Sequence, residues 1–131
     1  NGAAMYHSIR AGQPVDVIEV GSLADSLGGG IMANNRYTLD ICSHLIDETL
    51  LVSETEIYSA MQTLFFEDRL VSEGSAATTV AALLSGRISQ PCGKTALILT
   101  GRNVDSKMFA SIIAGQNLDL GDIRIKGQTY G

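Results

Sequence analysis

The chain is poor in residues that mark several classes of protein. It has two cysteines, two prolines, three lysines and no tryptophan in 131 residues. Two cysteines cannot build a disulfide framework, and Cys42 and Cys92 lack the spacing of a metal site, so we expect a cytoplasmic location. No apolar run approaches the roughly 18 residues of a membrane helix, so no membrane partner is expected.

Positive charge is also scarce. Nine lysines and arginines against fourteen acidic residues give a net charge of −5. Because nucleic acids and anionic membranes bind clustered basic side chains, neither is an expected partner. The 45% of hydrophobic and 18% of charged residues are typical of a soluble globular protein, and the length predicts one domain.

Local signals predict several helices. Ser53 and Glu56 have the spacing of a capping box, and the apolar residues behind them predict a helix to about Val71. Asp105 is a predicted cap for a helix that ends near Gly115. Further helices are predicted over residues 6–11, 39–46 and 75–84.

Continuous apolar runs at residues 49–52 and 95–100 predict buried strands, and residues 15–20 look extended. The order of elements predicts an α/β fold of three layers, in which part of a mostly parallel sheet is flanked by helices. Two or three strands are too few to form a complete sheet of this kind. We therefore expect the missing strands upstream or in another chain. An unpaired sheet edge favours self-association, and a homo-oligomer is therefore predicted.

Three features suggest a site, and the second and third also have an ordinary structural explanation. Thr100 ends an apolar run, and ligands of open α/β sheets bind beyond the carboxyl ends of strands. Glu73 precedes the helix predicted over residues 75–84. Its negative charge either interacts favourably with the dipole at the helix N-terminus or has a functional role. The three glycines at 28–30 either form a tight turn or let a ligand approach the backbone.

Five motifs follow one another along the chain, at residues 23–25, 44–48, 52–54, 73–77 and 99–105. In this order they resemble motifs of the C-terminal portion of the threonine/serine dehydratases, a family of fold-type II pyridoxal-phosphate enzymes. Within that family the chain is most similar to the dehydratases of hydroxyectoine utilisation. The resemblance implies that residues 1–115 are the C-terminal portion of a catalytic domain and that residues 116–131 are a tail.

The resemblance also implies a chemistry. Family members use pyridoxal phosphate to eliminate the hydroxyl of a hydroxy amino acid, and they release a 2-oxo acid and ammonia. Thr100 occupies the position whose hydroxyl contacts the ring nitrogen, and Gly101 and Asn103 complete the implied cofactor-binding residues. Glu73 matches a glutamate beside the cofactor and Asp25 matches the acid of an Ala-Asp-Gly motif, so both are predicted catalytic residues.

Other family features are missing. Ala4 stands where some members have an acidic cation ligand, so no metal is predicted. The Ser-x-Lys-x-Arg-Gly setting of the family's cofactor-binding lysine surrounds none of Lys94, Lys107 or Lys126, and the glycine-rich phosphate loop is absent. We therefore expect a fragment of a dehydratase that is inactive alone. The alternative is a non-catalytic α/β module that binds a small molecule or another subunit.

Overall fold

The computed structural model describes residues 2–88 and 93–131, so Cys92 lies outside the described residues. The described part contains five α-helices, one short 3₁₀-helix and one β-hairpin. The helices are α1 (Ala4–Ala11), α2 (Thr38–Leu45), α3 (Glu54–Phe66), α4 (Gly74–Leu84) and α5 (Ser106–Ile113), with the 3₁₀-helix at Asp25–Leu27 and strands β1 (Leu118–Leu120) and β2 (Ile123–Ile125).

The predicted helix starts are confirmed by their caps. At the start of α3 the Glu56 amide donates to the Ser53 hydroxyl over 3.3 Å, and the Ser53 amide donates to the Glu56 carboxylate over 2.6 Å. At the start of α5 the Asp105 carboxylate accepts from the Met108 amide over 2.8 Å. Each cap satisfies amide groups that have no partner within the first helical turn.

The end of α3 differs from the prediction. The helix ends at Phe66 rather than near Val71. Arg69 adopts a left-handed conformation with φ +59°, and the Leu70 amide donates back to the Leu64 carbonyl over 2.9 Å. This reversal closes the helix as a C-terminal glycine usually does. Because an arginine takes the glycine's place, the sequence lacks the usual stop signal.

The core lies between α3 and α4, which make the most extensive helix contact of the described residues. Ile57, Tyr58 and Met61 of α3 are fully buried there. The facing side chains of α4 are small, which lets the two helix backbones approach closely. The other buried members of this cluster are Leu23, Ala24, Ala60, Leu64, Ala77, Val80, Ala81, Ile112, Leu118 and Ile125.

The hairpin after α5 closes one side of this core. Leu118 pairs with Ile125 and Leu120 with Ile123 in an antiparallel register, around a turn at Gly121 whose φ is +64°. Leu118 and Ile125 are buried in the cluster. The hairpin lies in the segment predicted as a tail, and the division of the chain at residue 115 remains a prediction.

The α/β class is confirmed, but the individual parallel strands predicted above are not formed. In the described residues neither 49–52 nor 95–100 pairs with a strand, and the sheet found there is the antiparallel hairpin. A strand requires a hydrogen-bonded neighbour, which these apolar runs lack within that part of the chain. Ile98 is accordingly 67% exposed. Among the described residues we find no helix with the length and apolar character that crossing a bilayer requires.

Candidate functional site

Glu73 and Gly101 lie against each other. Glu73 is the N-cap residue of α4, and its amide donates to the Gly101 carbonyl over 3.2 Å. A Cβ atom at position 101 would come within 2.8 Å of Oε1 of Glu73, closer than non-bonded atoms approach. The structure therefore brings these two predicted site residues together, and glycine leaves room there for the carboxylate.

A cavity of about 190 Å³ joins three of the predicted site residues. Asp25, Glu73 and Asn103 all line it, although they come from three different parts of the sequence. Asp105, the cap of α5, adds a third carboxylate, so the lining is rich in negative charge. The remaining lining residues are Ser22, Leu23, Ser26, Gly74, Ser75, Val104 and Met108.

Thr100 lies beside this cavity rather than in its wall. It is exposed and is not among the lining residues. Its chain neighbour Gly101 contacts Glu73, so the backbone of Thr100 lies near a residue of the cavity wall. An exposed hydroxyl can still bind a polar ligand atom, because nothing within the described residues covers it.

Asp25 also borders a second cavity, of about 500 Å³, together with Gly28 and Gly29. The Gly28 amide donates to the Asp25 carbonyl over 2.9 Å, and Gly29 has φ +95°. The glycine run therefore makes a turn and also lines a cavity. Asp25 itself is exposed between the two spaces.

Sequence reasoning missed two features next to these residues. Ser22 and Leu23 both donate to the carboxylate of Glu54, which the sequence indicated only as a member of the 52–54 motif. Ser72, the residue before Glu73, is buried, and its hydroxyl has no hydrogen-bond partner among the described residues. Neither feature has a local sequence signal, because both depend on the packing of distant segments.

The residues present fit one side of a pyridoxal phosphate site. The Thr100 hydroxyl is a donor and acceptor that suits a ring nitrogen, and the Glu73 carboxylate lies against Gly101, the next residue along the chain. At about 190 Å³ the cavity is smaller than the roughly 300–1,000 Å³ of pockets that enclose a ligand. Lys94, Lys107 and Lys126 are exposed and do not line it. In the described residues no group of three His, Cys, Asp or Glu side chains is placed to hold a metal ion.

Comparison with known proteins gives consistent matches. The profile of the family described as pyridoxal-phosphate dependent enzyme matches residues 1–101. A Sinorhizobium fredii protein assigned as a threonine dehydratase is 43% identical over 114 residues, which are 87% of this chain and 34% of that protein. The phenylserine dehydratase of Ralstonia pickettii is 36% identical over 110 residues, which are 82% of this chain and 32% of that enzyme.

The solved structure of maize serine racemase is also similar. It is 25% identical, and the match has a TM-score of 0.70 and covers 85% of this chain and 35% of the racemase. The match supports the predicted fold-type II architecture. The chain spans about a third of the length of these relatives. Because the family profile matches most of its residues, the chain belongs to the family of pyridoxal-phosphate dependent enzymes.

Proposed function

We propose that this chain is the C-terminal portion of a pyridoxal-phosphate dependent dehydratase. The reaction eliminates water from a hydroxy amino acid and yields a 2-oxo acid and ammonia. The observation that carries the proposal is the cavity shared by Asp25, Glu73 and Asn103, with Gly101 against the Glu73 carboxylate. Relatives named for threonine, phenylserine and serine support the substrate class, since all three are β-hydroxy amino acids.

Each site residue has a proposed task. Bound pyridoxal phosphate supplies an electron sink for the substrate Cα. The Thr100 hydroxyl orients the cofactor ring at its nitrogen, and Gly101 and Asn103 shape the space beside it. Glu73 holds or moves a proton at its carboxylate oxygens, and Asp25 adds negative charge across the cavity. A negatively charged wall also favours the ammonium group of an amino acid.

The alternative function is a non-catalytic α/β module that binds a small molecule or another subunit. One observation favours it: all three lysines are exposed and lie outside the cavity lining. The chain alone therefore has no side chain in the cavity to hold the cofactor covalently. We expect pyridoxal phosphate added to the isolated chain to give no stable protein-bound absorbance, and such an absorbance would contradict this expectation.

A chimera tests the enzymatic proposal. The matching third of the Sinorhizobium fredii relative is replaced by residues 1–131, and ammonia release from threonine, serine and phenylserine is measured. Thr100→Val removes the hydroxyl at similar shape, so we expect a fall in kcat of tenfold or more, with Thr100→Ser retaining most activity. The matched control is Thr95→Val, which changes an exposed threonine of the same segment. If a cofactor-loaded chimera releases no ammonia, the proposed lyase activity is contradicted. If Thr100→Val leaves kcat unchanged, the proposed role of Thr100 is contradicted.

We further propose that the protein forms a homo-oligomer through its unpaired apolar segments. Leu70, Val71, Ile98 and Leu99 are exposed, and they flank the contact between Glu73 and Gly101. Ile98→Lys is expected to lower the mass measured by sedimentation. The control Leu45→Lys changes an exposed leucine of α2 and is expected to leave the mass unchanged. A strictly monomeric unaltered chain would contradict this proposal.

Two finer assignments also remain proposals. A cytoplasmic location is supported by the low cysteine content and by the free thiol of Cys42. A role in hydroxyectoine utilisation is supported by the motif resemblance alone. Induction of the protein by growth on hydroxyectoine, compared with growth on threonine, tests the second assignment, and equal levels under both conditions would contradict it.

A further inference from the structure

The loop that carries Asp25 is tied to the start of α3 by one carboxylate. The Ser22 hydroxyl donates to Oε1 of Glu54 over 2.7 Å, and the Leu23 amide donates to Oε2 over 2.7 Å. The Ala24 amide in turn donates to the Ser22 oxygen over 3.0 Å. We call residues 22–25 the Asp25 loop. Its backbone is thus fixed immediately before the site residue.

The environment of Glu54 makes this a strong attachment. Glu54 is partly buried and is the first residue of α3, where the helix dipole stabilises a negative charge. Both carboxylate oxygens accept short bonds, and bonds to an ionised acceptor are roughly twice as strong as neutral ones. The attachment therefore draws on the helix start as well as on the two donors.

The opposite side of the Asp25 loop rests on α4. A Cβ atom on Gly74 would lie 2.1 Å from the Leu23 carbonyl oxygen, so the loop backbone touches the helix at the residue that follows Glu73. The loop is held between Glu54 and Gly74. The next residue along the chain, Asp25, lines a cavity together with Glu73.

We propose that Glu54 is a positioning residue of the site. It holds the Asp25 loop against the start of α4 so that the carboxylates of Asp25 and Glu73 line one cavity. The proposal rests on the proposed function, because it assumes that Asp25 acts in the reaction. Glu54 acts on the site through the Ser22 hydroxyl and the Leu23 amide, which both donate to its carboxylate.

The anchoring itself can be tested on the 131-residue chain without cofactor. Glu54→Ala removes both acceptor oxygens, so both bonds are lost. We expect hydrogen exchange at the amides of Leu23 and Ala24 to accelerate by about tenfold or more, and exchange within α4 to stay unchanged. The control Glu56→Ala alters the same helical turn, but that carboxylate bonds Ser53 and Arg87 instead. Unchanged exchange at Leu23 in Glu54→Ala would overturn the proposal.

The catalytic consequence is measured in the chimera described above. We expect Glu54→Ala and Asp25→Asn each to lower kcat by about 10- to 100-fold, with KM within about threefold, and the double variant to lose no more than the single ones. Glu56→Ala is expected to keep kcat within about twofold. If Asp25→Asn lowers kcat and Glu54→Ala does not, the positioning role is wrong although the proposed function stands. If the loaded chimera releases no ammonia at all, the proposed function fails instead, while the exchange result still shows whether Glu54 anchors the loop.

Discussion

The segment before α3 and the segment from α3 onward are built differently. From α3 onward most of the buried apolar side chains pack on one another, and Met61 has an exposed fraction of 0%, although Ile98 remains exposed. Before α3 several large apolar side chains lie in the open, with Ile18 at 85% and Leu45 at 75% exposed. The comparison shows that the second segment supplies most of the burial that stabilises the described chain.

The candidate site lies where the two segments meet. Leu23 and Ala24 belong to the first segment but are buried in the cluster formed by the second. Gly74 allows this contact, because any side chain there would collide with the Leu23 backbone. The Asp25 loop is therefore ordered by the core of the second segment, while the sequence around it remains exposed.

The largest expected change in the free energy of unfolding distinguishes the two segments directly. Met61→Ala removes a fully buried side chain and leaves a cavity, so we expect a loss of about 2–5 kcal/mol in the free energy of unfolding. Leu45→Ala shortens an exposed side chain and is expected to change that free energy by less than about 0.5 kcal/mol. Urea unfolding measures both. Similar losses in the two variants would show that the first segment is also part of a packed core.

Local chemistry explains which elements of the second segment were predictable. Ser53 and Asp105 announce helix starts, because a cap needs only residues within one turn. The hairpin also has a local signal, because two short runs of alternating apolar residues are separated by Gly121-Asp122. The end of α3 had none, since Arg69 takes the left-handed conformation usually given to glycine.

Long-range contacts explain what could not be predicted. The apolar runs at 49–52 and 95–100 have the composition of strands, but a strand also depends on a neighbour that local sequence does not specify. Asp25 and Glu73 were identified by resemblance to a family. Their common cavity and the attachment of the loop to Glu54 depend on residues far apart in the chain, and only the structure reveals them.

An intermediate change in the free energy of unfolding is expected for a substitution where the two segments touch. Gly74→Ala adds a Cβ atom 2.1 Å from the Leu23 carbonyl oxygen, which belongs to the backbone and cannot simply rotate away. We expect a loss of about 1–3 kcal/mol in the free energy of unfolding, although alanine is the better helix former. Gly30→Ala is the control, since no atom lies within 4 Å of its Cβ position. A stabilised Gly74→Ala would show that the loop does not rest on α4.

The smallest expected change in the free energy of unfolding concerns the start of α3, and this change depends on pH. The Ser53 backbone amide, with Arg87 nearby, lowers the pKa of Glu56 from its ordinary value of 4.5. A carboxylate with a lowered pKa stabilises the fold above that ordinary value, and this stabilisation is lost as the pH falls through the folded pKa. We expect Glu56→Gln to cost about 1 kcal/mol near pH 7, and the gap from the unaltered chain to shrink as the pH is lowered below 4.5. Urea unfolding at several pH values measures the gap, and a gap that stays constant down to low pH would mean that the Glu56 charge does not stabilise the cap.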